Sequence, residues 1–172
     1  VGGGAAGMMA AVAAGRRGHQ VTLLEKNEKP GKKIYITGKG RCNFTNACEV
    51  EQLFGAVVSN PKFLYSAIYG FDNSMVMEFF REMGMACKVE RGNRVFPVSD
   101  HSSDVTRALE RAMAQAGVTV RLRTKARDIK TCDGRVTGVE IERCGQHRGQ
   151  RREQTETLAA DAVIVATGGV SY

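Results

Sequence analysis

Residues 2–25 read GGGAAGMMAAVAAGRRGHQVTLLE, and this stretch decides the fold. Gly2, Gly4 and Gly7 stand in G-x-G-x-x-G spacing, and Gly18, Val21 and Glu25 follow in order. The first glycine permits a tight turn out of a strand. The second lets a pyrophosphate approach bare backbone, and the third lets helix and strand pack closely. The small residues from Ala5 to Gly15 predict a helix able to sit close to a sheet. His19 to Glu25 reads as a buried parallel strand, because Val21, Leu23 and Leu24 lie between a glycine and charge. A pyrophosphate would meet the free N–H groups and positive end of the helix at Gly4, Ala5 and Ala6. Glu25 ends the strand eighteen residues beyond Gly7. Its carboxylate is expected to accept both hydroxyls of an adenosine ribose, with Lys26 beside it. The spacing alone is weak. Glycines, small-residue helix, strand and terminal acid in this order predict dinucleotide binding over a chance glycine-rich helix entry.

Outward from there, Lys26 to Ala47 is a loop rich in Gly, Lys and Asn, of the length that ligand-binding loops have. Helices are predicted at 61–70 and 72–84, the second with Met75, Phe79 and Met83 as a core stripe. A hairpin at 88–97 turns at Gly92 and Asn93, and Asp100 or Ser102 is expected to cap a helix reaching Ala116. That helix has Val105, Leu109, Ala112 and Met113 on its apolar face. Strands follow at 118–123, 126–131 and 136–142, with a turn at Asp133-Gly134, a polar loop to Glu156 and a last strand ending at Ala166. The expected class is α/β: a doubly wound Rossmann-type parallel sheet with an added antiparallel β-meander.

The 172 residues, 42% hydrophobic, suffice for one domain or one and a fraction. Val1 in place of Met, and a strand running out near Tyr172, predict the amino-terminal part of a longer chain with its first strand cut short. No apolar run approaches the ~20 residues of a membrane span. Arg16 and Arg17 lack the apolar core of an export signal and read as the basic end of a helix. Five cysteines with no C-x-x-C pair argue against a disulfide scaffold and a zinc site, and predict reduced thiols in a cytoplasmic protein. The net charge is +7, and ten basic residues between Arg121 and Arg152 read first as a solvated face, with phosphate or RNA contact as the alternative. His19, His101 and His147 form no grouping, and Asp100, Ser102 and Ser103 resemble a helix cap more than a triad, so no catalytic residue is assigned.

A plain NAD fold would pass from Glu25 fairly directly into another helix and strand. Here GKKIYITGKGRCNFTN, residues 31–46, intervenes. The far strand AVIVATGG can bring the bare backbone of Ala166, Thr167 and Gly168 against the same cofactor, and the reading becomes FAD. With RVFPVSDHSSDV and ATGGVSY, these segments resemble the NAD(P)/FAD-dependent oxidoreductases often labelled aminoacetone-oxidase-like, along the whole of Val1 to Tyr172. TGKGRCNFTN combined with VFPVSD is the most specific part of that resemblance.

The resemblance implies that Lys33, Gly38, Gly40, Arg41, Cys42 and Asn43 approach the flavin or its phosphates, and that Ala126 offers backbone to the adenine. Successive glycines do expose N–H groups to anions, and a guanidinium near the ring could stabilise its reduced charge. The plainer alternative is a surface turn in which Asn43 and Asn46 cap themselves. Cys42 and Cys48, with five residues between them, are not expected to form a redox disulfide, and Cys42 is expected to pack near the ring. Residues 1–172 are expected to be part of one FAD-binding domain, with 48–100 a helical and hairpin insertion, and the family's inserted domain and closing segment missing. The expected function is FAD-dependent hydride transfer with a small organic substrate, for which family labels mention amino-ketone oxidation and reduction of conjugated double bonds. With no second glycine fingerprint, NAD(P)H would dock transiently as donor. Neither nucleic acid nor membrane is an expected partner, and the oligomeric state is not legible. The alternatives are a tRNA-modifying flavoprotein, an NAD-dependent dehydrogenase without flavin, and a segment that alone binds no cofactor.

Overall fold

The structure, a computed structural model, describes residues 1–144 and 155–169. Most of the predicted polar loop, with His147, Arg148, Arg151 and Arg152, and the final residues of ATGGVSY lie outside the described residues. Along the chain run α1 (Ala5–Gly15), β1 (Thr22–Leu24), α2 (Lys32–Ile36), β2 (Thr45–Asn46), α3 (Val50–Gly55), α4 (Tyr65–Gly70) and α5 (Asn73–Glu82). Then come β3 (Cys87–Glu90), β4 (Arg94–Pro97), α6 (Ser102–Gln115), β5 (Thr119–Arg121), β6 (Thr124–Cys132), β7 (Arg135–Arg143) and β8 (Thr155–Ala159). Two compact units result: Val1–Lys32 with Ala112–Tyr172, and Lys33–Arg111.

The first unit carries the expected α/β class, a parallel sheet with a separate antiparallel meander. β1 and β5 pair in parallel with Leu23 opposite Val120, and Glu25 N–H to Arg121 O at 2.9 Å extends the ladder. On the other side Gly2 N–H donates to Leu24 O at 2.9 Å. The Val1 nitrogen then donates to Ile164 O and Ala166 N–H to Val1 O, each at 2.8 Å, which is the alternation of a parallel pair. The backbone order is therefore β5, β1, Val1–Gly2, Ile164–Ala166. α1 crosses from the middle of this sheet to β1, and its end is closed by Arg16 and by Arg17, which bonds Ala13 O.

β6, β7 and β8 form the meander, turning at Asp133 and Gly134, both at positive φ as a two-residue hairpin of the right twist requires. Leu24, Val139 and Ile141 make a shared core with Val1, Ala126, Leu158 and Val163 around it, so the meander closes one face of the parallel sheet. β8 lies partly where a polar loop was expected. Its TETLA sequence has one strongly apolar residue, Leu158, and that residue pairs with Val139. A strand supported by a neighbour rather than by its own alternation leaves little trace in sequence.

The second unit is built on an antiparallel sheet in the order β2-β4-β3. Asp72 caps α5 by accepting from Met75 N–H at 2.8 Å. The stripe expected from Met75, Phe79 and Met83 is shifted: Phe79, Phe80 and Met83 are buried, while Met75 is 45% exposed. Phe80 takes its place by meeting Phe44 edge-on, centroids 4.8 Å apart. The loop expected at 26–47 holds α2, a 3₁₀ turn at Thr37–Gly40 and β2, each too short for a hydrophobic period to register. The helix expected at 61–70 is split into a 3₁₀ turn at Pro61–Leu64 and α4, and α3 has no counterpart in the sequence reading. α6 forms within one residue of expectation with its apolar face buried. The residues expected to cap it are used otherwise: Ser102 Oγ donates to Tyr35 O at 3.2 Å, and Asp100 faces Lys88 and Arg41.

Candidate functional site

In the first unit the glycine turn has little steric freedom. Gly2 sits at φ 98, and a Cβ there would strike Ala166 O. A Cβ on Gly7 would strike Gly2 O, well inside the 3.0 Å that real Cβ atoms respect. Gly3 backs onto Glu25, whose Oε2 would lie 2.9 Å from an added Cβ. Gly4 is different, because a Cβ there would meet nothing within 4 Å. It is the N-cap of α1 in extended conformation, with no side-chain cap bond and no acidic residue in the first turn. The amides at Ala5 and Ala6 are thus left to an outside acceptor, at the positive end of an 11-residue helix.

Glu25 follows β1 and is buried. Oε2 accepts Gly3 N–H at 2.7 Å, and Oε1 accepts Asn27 N–H at 2.8 Å and Asn27 Nδ2 at 2.6 Å. A carboxylate offers about four acceptor sites. Three are occupied, so one ribose hydroxyl can be taken directly, and a second only if the Asn27 side chain withdraws. Lys26 is exposed beside it. Ala126 lies in β6 opposite Ile141, and the ladder slips between Ala126 and Asp128, loosening the backbone pairing there. Ala166 is held by Val1, Thr167 is exposed, and Gly168 turns at φ 80. The structure thus gathers Gly2, Gly4, Gly7, Glu25 and Ala166 around one turn.

The other expected residues belong to the second unit. Lys33 lies in α2 and Asn43 is exposed, with Nδ2 donating to Thr45 O and Val95 O. Gly38 and Gly40 occupy the 3₁₀ turn and the residue closing it at φ 55 and 88, conformations that favour glycine. Arg41 lies over Phe96, 4.2 Å from the ring centroid, and bonds Glu90 at 2.5 Å and Asp100 at 2.6 Å. Lys88 completes this cluster at 2.7 Å from Asp100. Lys88 and Arg41 hold the Asp100 carboxyl below its ordinary value, and Arg41 does the same for Glu90. Cys42 is buried at φ 59, and burial pushes its thiol up. All five cysteines are free.

The family model for the HI0933-like protein Rossmann domain matches residues 1–172. The chain belongs to this family. Among curated relatives, this HI0933-like domain is 33% identical over 171 residues to the 3-dehydro-bile acid delta(4,6)-reductase of Clostridium scindens, covering 98% of this chain and 38% of that protein. It is 31% identical over 172 residues to the ribosomal RNA dihydrouridine synthase of Escherichia coli, covering 99% and 39%. The chain therefore spans about two fifths of the length of these relatives. A THI4 structure from Thermovibrio ammonificans shares the fold, with a TM-score of 0.63, 19% identity and coverage of 97% of this chain and 55% of that one.

Several site residues of the HI0933-like domain were not singled out by sequence. Asn27 and Gly3 hold the Glu25 carboxylate, and Glu90, Phe96 and Lys88 hold Arg41 or its partner. A weak signal existed only for Gly3, which makes the fingerprint a run of three glycines. Within the basic stretch from Arg121 onward, several cations are paired at the surface: Arg121 with Glu156, Arg127 with Glu142, and Lys130 with Asp128 and Glu140. No group of three or more metal-ligating side chains occurs among the described residues, and no helix there is long and apolar enough to cross a membrane.

Proposed function

We propose that this domain binds FAD and that the protein is an FAD-dependent oxidoreductase reducing a carbon–carbon double bond conjugated to a carbonyl in a small organic substrate, with NAD(P)H as donor. The observation that carries the reading is the open, uncapped helix end at Gly4 beside the clamped Glu25 carboxylate. Gly4, Ala5 and Ala6 would hold the pyrophosphate. Glu25 would take a ribose hydroxyl, Lys26 and the slipped ladder at Ala126 would border the adenine, and the turn at Ala166-Thr167-Gly168 would lie against the cofactor. Lys33, Gly38, Gly40, Arg41, Cys42 and Asn43 are assigned to the flavin end. Arg41 could give up its carboxylate partners only for another anion. Bound FAD supplies hydride acceptance and donation, while this chain binds and orients it.

The names of two relatives support the bond type, since a delta(4,6)-reductase and a dihydrouridine synthase both add hydrogen across a ring double bond. We assign the protein to the aminoacetone-oxidase-like branch on TGKGRCNFTN and VFPVSD. We further assign residues 1–172 to one FAD-binding domain with 48–100 inserted, and place the protein in the cytoplasm on its five free thiols. A second reading, an RNA base as substrate, is favoured by the net charge of +7. The test is the visible spectrum of the full-length protein, then anaerobic reduction with NADH and NADPH and re-oxidation by a 3-oxo-Δ4 steroid or by unmodified ribosomal RNA. A flavin spectrum bleached by a nicotinamide and restored by the steroid is expected. A colourless protein that takes up no FAD overturns the proposal, and re-oxidation by RNA alone selects the second reading.

A further inference from the structure

Across residues 48–72, in the second unit, no residue is buried, although the segment is rich in apolar side chains and its only charged residues are Glu49, Glu51, Lys62 and Asp72. Three of the chain's seven phenylalanines and two of its four tyrosines lie here. Phe54 meets Tyr65 edge-on with centroids 4.5 Å apart, and Tyr69 at 5.3 Å. These rings join α3 to α4, yet both tyrosines stay exposed. Phe63 is 79% exposed and Val58 completely so. α5 repeats the pattern, since Met75 belongs by spacing to its apolar stripe and is exposed as well. One exposed apolar side chain is ordinary, but a run of them marks a surface that something covers.

Helices of six residues, such as α3 and α4, are not stable in water without packing. Neither buries a residue against the described part of the chain, so their cover comes from elsewhere. Three kinds of cover make different demands. A bilayer surface is met by helices with lysine and arginine on their polar side, whereas here a single lysine, Lys62, stands against Glu49, Glu51 and Asp72. A second copy covers the face only at concentrations that sustain association. A further part of the same polypeptide is present at an effective concentration on the order of millimolar, whatever the protein's abundance. The curated relatives have such a part. This chain spans only 38% and 39% of their length, and the matches run through the aromatic segment, covering 98% and 99% of this chain.

We propose that the aromatic segment 50–71 is the docking face for the part of the full-length protein outside residues 1–172, which meets it with an apolar surface of its own. The proposal stands independently of the flavin assignment. The experiment uses full-length protein carrying Val58→Cys or Phe63→Cys, pulse-labelled with N-ethylmaleimide in native buffer and in urea, and read by peptide mass mapping. Labelling at positions 58 and 63 should be slower in native buffer by about tenfold or more, to the same degree at submicromolar and at tens of micromolar protein. Hydroxyl-radical footprinting of the unsubstituted protein at Phe63 and Tyr69 should show the same protection, and it decides the matter if a substitution loosens the contact. Native rates equal to those in urea at both footprinted residues overturn the proposal. So does protection that appears only at the higher protein concentration, which would assign the face to a second copy. Protection that appears only on adding phosphatidylglycerol vesicles also overturns it, by assigning the face to a membrane surface.

Discussion

Replacing Glu25 by Ala should damage the turn as well as the cofactor affinity, in amounts the hydrogen bonds set. The carboxylate accepts three N–H donors, two from Asn27 and one from Gly3. Asn27 is half-buried, so water can satisfy its groups once the carboxylate is gone, but Gly3 is buried. Leaving that amide without an acceptor costs about 1–3 kcal/mol. Flavin affinity should fall by a further factor of roughly 10 to 100, since one charge-assisted ribose bond contributes about 1.5–3 kcal/mol. Glu25→Gln is the informative partner: it keeps the shape and one oxygen acceptor, but turns a donor towards Gly3 or Asn27. The assay is hydrogen exchange at the Gly3 amide in flavin-stripped full-length protein, alongside FAD titration of the same samples. Faster exchange at Gly3 and weaker FAD binding are expected in both variants, more so in Ala. Gly3 protection that is unchanged in Glu25→Ala would refute the clamp, and unchanged FAD affinity would refute the ribose role.

The remaining glycines separate stability from ligand binding. Gly4→Asp should stabilise flavin-free protein by about 0.3–1 kcal/mol through the helix dipole while abolishing FAD retention, and Gly7→Ala should cost about 1–3 kcal/mol through its collision with Gly2 O; urea unfolding followed by circular dichroism, with and without FAD, reads both. Cys132 and Cys144 are exposed, while burial pushes the Cys42 thiol up, so iodoacetamide at pH 8 should label the first two well before Cys42, as peptide mass mapping would record. Asp100 lies below its ordinary value of 3.8 because Lys88 and Arg41 bond it, so its contribution to stability is present above that value and is lost as pH falls through the lower folded one. Asp100→Asn should therefore flatten the acid limb of stability below about pH 4 and leave the rest of the profile parallel, which unfolding at a series of pH values would test.

What was legible in the sequence is what local sterics dictate. Gly2 and Gly7 announce themselves because no other residue there avoids collision with backbone, and α6 because Val105, Leu109, Ala112 and Met113 repeat at helical spacing within a fourteen-residue helix. What escaped depends on partners distant in sequence. β8 is held by β7, Phe80 enters the core because Phe44 meets it, and Arg41 bonds Glu90 and Asp100 across 49 and 59 residues. Short elements such as α2 and α3, at five and six residues, are likewise set by packing rather than by propensity.

The first turn of α1 shows how the same backbone serves both fold and ligand. A helix of this length would gain from an N-cap side chain and an acid in its first turn, and it has neither. The residue at that position is Gly4, although space is free around it, so packing does not account for the missing side chain. The neighbouring glycines are required by contact with Ala166, Glu25 and Gly2; Gly4 is not required by any contact among the described residues. Stabilisation of the helix end is therefore left to something outside the chain, and the exposed amides determine its sign. The buried carboxylate of Glu25 stands on the far side of Gly3 and would repel a second anion placed there, which directs a diphosphate towards the helix and leaves the carboxylate for a neutral hydroxyl. A sugar joined to a diphosphate meets both demands with one molecule.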